Sequence, residues 1–196
     1  MRNEALGTEL LVLARAAITQ HFGGDRPPRF DTTSLLQPGA CFVTLTKKGQ
    51  LRGCIGSLEA WRPLAADVCE NAVAAAFRDP RFPPLTADEL ADTRVEVSLL
   101  TAPEAMSFSS EADALAQMRP EVDGIILECD GRRATFLPQV WEQLPEPWQF
   151  MTQLKLKAGL PADFWGHGDA SVKLWRYGVE KWKEPTTDST REREAS

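Results

Sequence analysis

The residues best suited to chemistry lie in one short stretch, Leu51 to Gly56 (LRGCIG), which combines a thiol, a guanidinium and two glycines. The apolar run and the turn before it predict that this stretch is the second strand of a hairpin. Side chains alternate between the faces of a strand, so Arg52 and Cys54 are expected on one face and Leu51 and Ile55 on the other. The sequence therefore predicts a polar face that carries both chemical groups.

The pairing of Arg52 with Cys54 favours a reactive thiol. A cation on the same face lowers the pKa of a thiol, which is how nucleophilic cysteines arise in proteins. Free cysteine is also among the most buried residue types, so the interpretation of Cys54 as a small core residue comes first and the reactive thiol second. Gly53 and Gly56 weaken a strand, and they mark a bulge or the close approach of another backbone or a ligand.

A second candidate is the turn Asp79 to Phe82 (DPRF), which follows a predicted helix. A carboxylate at the carboxyl end of a helix is unfavourable to the helix dipole, so Asp79 is a weak pointer to function. The structural alternative is that Asp79 accepts turn hydrogen bonds or pairs with Arg81.

The cysteines do not predict a metal site. Cys41, Cys54, Cys69 and Cys129 form no CxxC pair, and the only two histidines are not at zinc spacing from them. No phosphate-binding glycine loop followed by lysine and serine or threonine is present either. We therefore predict neither a metal nor a cofactor.

Composition narrows the classes of function. A formal net charge of −6 argues against a nucleic-acid-binding protein, which needs a basic surface. No apolar run approaches the length that spans a bilayer, and the amino terminus does not resemble a signal peptide. We expect a cytoplasmic protein.

The hydrophobic pattern mixes helices and hairpins without strict alternation, which predicts an α+β fold with a largely antiparallel sheet flanked by helices. We expect one domain over residues 4–183 and a disordered polar tail over 184–196. The predicted helices are 4–22, 63–77, a short helix that begins with the capping-box pattern Thr86 to Glu89, 109–118 and 147–158, the last of which ends at Gly159. The predicted strands are 41–46, 51–56, 94–101, a hairpin over 124–137 with its turn at Asp130-Gly131 and a last strand from Val172 toward Trp182.

The chain resembles the AMMECR domain family. The resemblance rests on LRGCIG and on four later landmarks in the family's order: Glu70 to Phe82, Val95 to Ser98, Leu137 to Val140 and Lys157 to Leu160. It implies a larger lobe and a smaller β-containing lobe. Genes of bacterial members lie beside those of a Memo-like protein and a radical S-adenosylmethionine protein (the AmmeMemoRadiSam system), so the resemblance implies these two partners.

The resemblance also implies a set of site residues that converge near the Arg52 strand. Cys54 is the catalytic candidate, and the ligand-binding candidates are Arg52, Asp79, Arg81, Gln139 and Lys157. Two arginines, a lysine and an amide favour an anionic or carbonyl-rich ligand.

Three classes of function stay open. The first is a partner- or ligand-binding protein that uses a groove at the LRGCIG strand. The second is an enzyme for a small anionic or carbonyl substrate, in which Cys54 is a nucleophile or a one-electron relay, although no general base is recognisable. A nucleotide or nucleic-acid binder comes third, because the chain is acidic.

Overall fold

The structure is a computed structural model that describes residues 3–165 and 172–185. The fold class is confirmed: the described residues form helices and two four-stranded sheets. The helices are α1 Glu4–Gln20, α2 Thr33–Leu36, α3 Leu64–Phe77, α4 Glu111–Gln117 and α5 Pro147–Lys157; the strands are β1 Cys41–Lys47, β2 Gln50–Gly56, β3 Thr93–Leu100, β4 Glu104–Ala105, β5 Gly124–Cys129, β6 Arg132–Phe136, β7 Lys173–Tyr177 and β8 Val179–Lys183.

The chain divides into two compact units. We call residues 3–100 with 180–185 unit 1 and residues 101–179 unit 2. Unit 2 is thus an insertion between β3 and β8. No described helix has the length and apolar character needed to cross a bilayer.

Unit 1 is built on a sheet in the order β2-β1-β3-β8. Alternate residues of β1 and β3, such as Val43 and Val97, are fully buried in a core that also contains Leu10 of α1 and Val68 of α3. The predicted hairpin turn is confirmed, with Lys48 and Gly49 at φ of 50° and 78°. β2 is at the edge of the sheet, so its outer backbone groups need partners from elsewhere in the fold.

Unit 2 has a second sheet in the order β4-β7-β5-β6, with antiparallel pairs. Asp130 and Gly131 take φ of 49° and 74° at the tip of the β5–β6 hairpin, as the Asp-Gly pair predicts. The core of unit 2 includes the rings of Trp141 and Phe150, which stack with centroids 4.0 Å apart. The two units therefore have separate hydrophobic cores.

The end of the chain differs from the sequence-based expectation. The single last strand predicted from Val172 toward Trp182 is instead two strands, β7 and β8, which break at Gly178 and join different sheets. Glu184, which we assigned to the polar tail, donates its backbone N–H to the Val95 carbonyl at 2.9 Å. Residues 186–196 of the predicted tail lie outside the described residues, as does His167.

Candidate functional site

The glycines of β2 are explained by close packing. A Cβ atom on Gly53 would lie 2.1 Å from the carbonyl oxygen of Ala75 in α3, and one on Gly56 would lie 2.3 Å from the Phe42 ring. Only glycine lets the helix backbone approach the strand this closely. The expectation of a close backbone approach is confirmed at Gly53.

β2 also contains a bulge. Leu51 pairs with Thr46 and Gly53 pairs with Leu45, so Arg52 is an extra residue between the two pairs. A bulge interrupts the strict alternation of side chains that we assumed for this strand.

The bulge changes which residues share a face. Cys54 pairs with Thr44, and Thr44 and Thr46 point to the same side of β1. Leu51, opposite Thr46, therefore lies on the face of Cys54, so the expectation that it faces away from Cys54 is wrong. The side chain of Arg52, the extra residue, contacts Glu89 and not Cys54.

Arg52 is bound to Glu89, the last residue of a 3₁₀ helix over Ala87–Glu89. Its Nε and Nη2 donate to the two oxygens of Glu89 at 3.1 and 2.9 Å, and Lys47 Nζ donates to Oε1 at 2.9 Å. The same carboxylate accepts the backbone N–H of Thr86 at 3.0 Å, which completes the predicted capping box. Hydrogen bonds from Arg52 and Lys47 hold the pKa of Glu89 well below its usual range. Arg52 therefore ties β2 to the turn before β3.

A second cluster joins the two sequence motifs, and we call Cys54, Asp79 and Arg81 the Asp79 cluster. The buried carboxylate of Asp79 accepts the backbone N–H of Cys54 at 2.9 Å. Arg81 donates to the same carboxylate from its backbone N–H at 3.1 Å, from Nε at 3.0 Å and from Nη2 at 2.7 Å. Nη2 also donates to the Cys54 carbonyl at 3.1 Å. The DPRF turn thus covers both backbone groups of Cys54 at the open edge of the sheet.

The electrostatics of the Asp79 cluster follow from these bonds. Arg81, together with the Cys54 N–H, holds the pKa of Asp79 well below its usual range. Asp79 raises the pKa of Arg81, and the charge and side chain of Cys54 contribute in the same direction. The arginine that contacts Cys54 is therefore Arg81, through the Cys54 carbonyl, whereas Arg52 is bound to Glu89.

The thiol itself lies in a polar row that crosses three strands. Thr44 Oγ1 donates to Cys54 Sγ at 3.3 Å, and Thr44 pairs on its other side with Glu96 of β3. Lys183 Nζ lies 2.6 Å from the Glu96 carboxylate. The strand register therefore places Glu96 in the same row as the thiol.

A buried network that the sequence did not reveal holds the loop after β2. Asp67 of α3 accepts hydrogen bonds from Ser57 Oγ at 2.6 Å, from Arg62 Nε at 2.8 Å, from the Cys41 N–H at 2.9 Å and from Asn71 Nδ2 at 3.0 Å. Burial and the Asp67 charge raise the pKa of the Cys41 thiol well above its ordinary value. The sequence feature that could have indicated this network is a pair of polar residues four apart, Asp67 and Asn71, beside the apolar stripe of α3.

The two remaining candidates belong to unit 2 and are described within it. Gln139 is exposed on a 3₁₀ helix over Pro138–Glu142. Lys157 donates to the Thr135 carbonyl at 2.9 Å and lies over the Phe136 ring, 4.9 Å from its centroid. Lys155, in the same helix, is a buried lysine: it is 2% exposed and donates to Glu111 at 2.5 Å.

The predicted residues of unit 1 thus form two groups. Cys54, Asp79 and Arg81 come together, whereas Arg52 forms a separate ion-pair cluster with Lys47 and Glu89. Within the described residues, no group of three or more His, Cys, Asp or Glu side chains is placed to hold a metal ion.

Comparisons with known proteins confirm the family that the sequence resembles. The AMMECR1 family model matches residues 11–182. A protein of Methanothermobacter thermautotrophicus is 40% identical over 184 residues, which cover 91% of this chain and 94% of that protein. A protein of Thermofilum pendens is 37% identical, with 92% of this chain and 90% of that protein covered. The crystal structure of the uncharacterized protein PH0010 from Pyrococcus horikoshii is similar, with a TM-score of 0.69, 32% identity and 89% of each chain covered. The chain therefore belongs to the AMMECR1 family.

Proposed function

We propose that this protein is a binding protein that uses the surface around Cys54 and Arg81 to hold a carboxylate or carbonyl group of a ligand or partner. In this proposal it acts with the Memo-like and radical S-adenosylmethionine proteins that the resemblance implies. The observation that carries the proposal is the state of Arg81, whose side chain is 54% exposed although one side of its guanidinium is fixed by Asp79 and Cys54.

A guanidinium fixed in this way is prepared for binding. Its orientation is set by the buried carboxylate of Asp79, so little conformational entropy remains to be lost when a ligand binds. Among the described residues, none accepts a hydrogen bond from Nη1 of Arg81. The Asp79–Arg81 pair is neutral as a whole, so recognition would depend on directed hydrogen bonds more than on net charge.

The loop after β2 supports a protein partner. Leu58 and Trp61 are 43% and 69% exposed, and Arg62 lies over the Trp61 ring, 4.6 Å from its centroid. Asp67 fixes both ends of this loop through Ser57 and Arg62. An exposed tryptophan on a loop that is fixed at both ends is the kind of side chain that dominates binding energy at protein interfaces.

The enzyme alternative depends on Cys54 as a nucleophile, and it is favoured by the hydrogen bond from Thr44 and by the neighbouring Arg81. The Asp79 carboxylate is poorly suited to serve as its general base. Four hydrogen bonds occupy its oxygens, and its pKa is held well below the usual range, so it does not take up a proton near neutral pH. This geometry supports binding ahead of catalysis, and a nucleotide or nucleic-acid ligand stays the least favoured alternative.

The test uses purified Memo-like and radical S-adenosylmethionine proteins encoded beside a family member, with binding measured by isothermal titration calorimetry. Arg81→Gln is expected to weaken binding by about tenfold or more, since a charge-assisted hydrogen bond contributes ~1.5–3 kcal/mol.

Arg119→Gln is the matched control for Arg81→Gln. Arg119 is also an exposed arginine, at 59%, paired with a fully buried aspartate, Asp123, but it lies in unit 2. Equal losses in the two variants, or no binding of either protein by the wild type, would count against the proposal.

A further inference from the structure

Glu184 is firmly held although it lies just beyond the last strand. Its carboxylate accepts hydrogen bonds from Arg15 Nε at 2.9 Å, from Arg15 Nη2 and from the Val95 backbone N–H at 2.9 Å. The backbone N–H of Glu184 also donates to the Val95 carbonyl. All of these groups belong to unit 1. Glu184 is therefore fixed to both α1 and β3.

Arg15 extends these contacts to the turn that precedes β3. Its Nη2 donates to the Thr93 carbonyl at 2.8 Å and its Nη1 donates to the Leu90 carbonyl at 3.4 Å. The buried Thr93 hydroxyl in turn donates to the Glu89 carbonyl at 2.8 Å. One guanidinium thus connects Glu184 to the residues that carry Glu89.

Glu89 completes the connection to β2. Its carboxylate binds Arg52, the bulged residue two positions before Cys54, and both side chains are largely buried. A continuous series of hydrogen bonds therefore runs from Glu184 through Arg15, the turn over 89–93 and Arg52 to the strand that carries the thiol.

We infer that Glu184 is a positioning residue for β2, which controls the order of the strand around Cys54 through Arg15, Glu89 and Arg52. A partner or a cleavage that removes Glu184 from Arg15 would loosen the bulge and with it the Asp79 cluster. Under the proposed function, on which this inference rests, the contact between Glu184 and Arg15 regulates the binding surface around Cys54 and Arg81.

The test is hydrogen–deuterium exchange of the wild type and the Glu184→Ala variant, without any ligand. We expect exchange of the peptide spanning 50–56 to become about tenfold faster, because loss of a largely buried ion-pair partner weakens the local structure. Exchange within α3, at residues 72–76, should stay unchanged. The control is Glu104→Ala, which removes the partner of Arg176 in unit 2.

Two further variants separate positioning from simple loss of stability. Arg15→Lys keeps the charge but lacks the planar guanidinium that donates to Glu184 and to the Thr93 carbonyl at the same time. It should therefore also accelerate exchange of 50–56. In a Glu89→Gln background, Glu184→Ala should add little, since the connection is already broken. Additive effects, equal acceleration in α3, or no change at 50–56 would each overturn the inference. Because no ligand is present, this result is independent of whether the proposed binding partners bind.

Discussion

Asp79 accepts the backbone N–H of Cys54 at 2.9 Å, across the open edge of β2. Arg81 donates to the carbonyl of the same cysteine at 3.1 Å, so one turn satisfies both backbone groups that a neighbouring strand would otherwise pair. The two motifs that stand apart in the sequence are therefore a single structural feature. The edge protection also explains how a half-exposed arginine comes to lie beside a thiol.

Replacement of Asp79 should destabilise unit 1. Asp79→Ala removes a buried acceptor of four hydrogen bonds and leaves the Cys54 N–H without its partner, which we expect to cost about 3 kcal/mol. Urea denaturation followed by tryptophan fluorescence measures this loss. Asp88→Ala, at an exposed carboxylate in the same unit, is the control and should change the free energy of unfolding by less than about 0.5 kcal/mol.

Stability should fall in acid because of Asp79 and Glu89. Both have folded-state pKa values below their unfolded values, so they stabilise the fold fully above about pH 5 and lose this contribution as the pH falls toward their folded values. Denaturation at pH 7, 4.5 and 3 should show a steeper loss for the wild type than for Glu89→Gln. A parallel pH dependence in the two proteins would contradict this assignment, and the exposed Glu142→Gln should behave like the wild type.

A methyl group at Gly53 should be poorly tolerated. Gly53→Ala would place its Cβ 2.1 Å from the Ala75 carbonyl oxygen, so α3 and β2 must separate. We expect a loss of about 3 kcal/mol or more, at the upper end of the usual overpacking cost. Gly178→Ala meets its nearest atom only at 3.6 Å and serves as the control in thermal melts.

Cys54 should be the first cysteine to react with iodoacetamide. Burial raises the pKa of Cys41, Cys69 and Cys129, with Asp67 and Glu70 adding to the effect at the first two. Cys54 is half-buried, as Cys69 is, but it lies beside Arg81. Mass-spectrometric mapping at several pH values gives the four rates.

Arg81→Gln should slow the labelling of Cys54 severalfold, and Arg52→Gln should have the smaller effect because its guanidinium is bound to Glu89. A larger effect of Arg52→Gln would restore the original pairing of Arg52 with the thiol.

Much of the fold could be predicted because local signals decided it. The Asp130-Gly131 turn, the capping box at Glu89 and the glycine at the end of α5 each fix a boundary through backbone chemistry. The break at Gly178 could not be predicted, since a glycine within an apolar pattern does not say that the strand changes sheet.

The candidate site was only partly predictable for a similar reason. The assignment of side chains to alternate faces assumes a strand without a bulge, and the bulge at Arg52 interrupts this alternation. The partner of Arg52 is Glu89, far along the chain, and such pairs depend on tertiary structure that no local pattern encodes. Asp79 and Arg81 were found because their turn is distinctive, although its contact with Cys54 needed coordinates.

The position of β8 has a consequence for synthesis on the ribosome. β8 pairs next to β3, yet all of unit 2 is translated between them. At roughly 5–20 residues per second, translation of residues 101–179 takes on the order of 4–16 s. During that interval β3 is an unprotected edge in the nascent chain, and Trp182 has not yet reached its place against Gly7. Unit 2 can therefore begin to fold before unit 1 is complete. The first 100 residues are most exposed to misassembly during this interval, while they wait for β8.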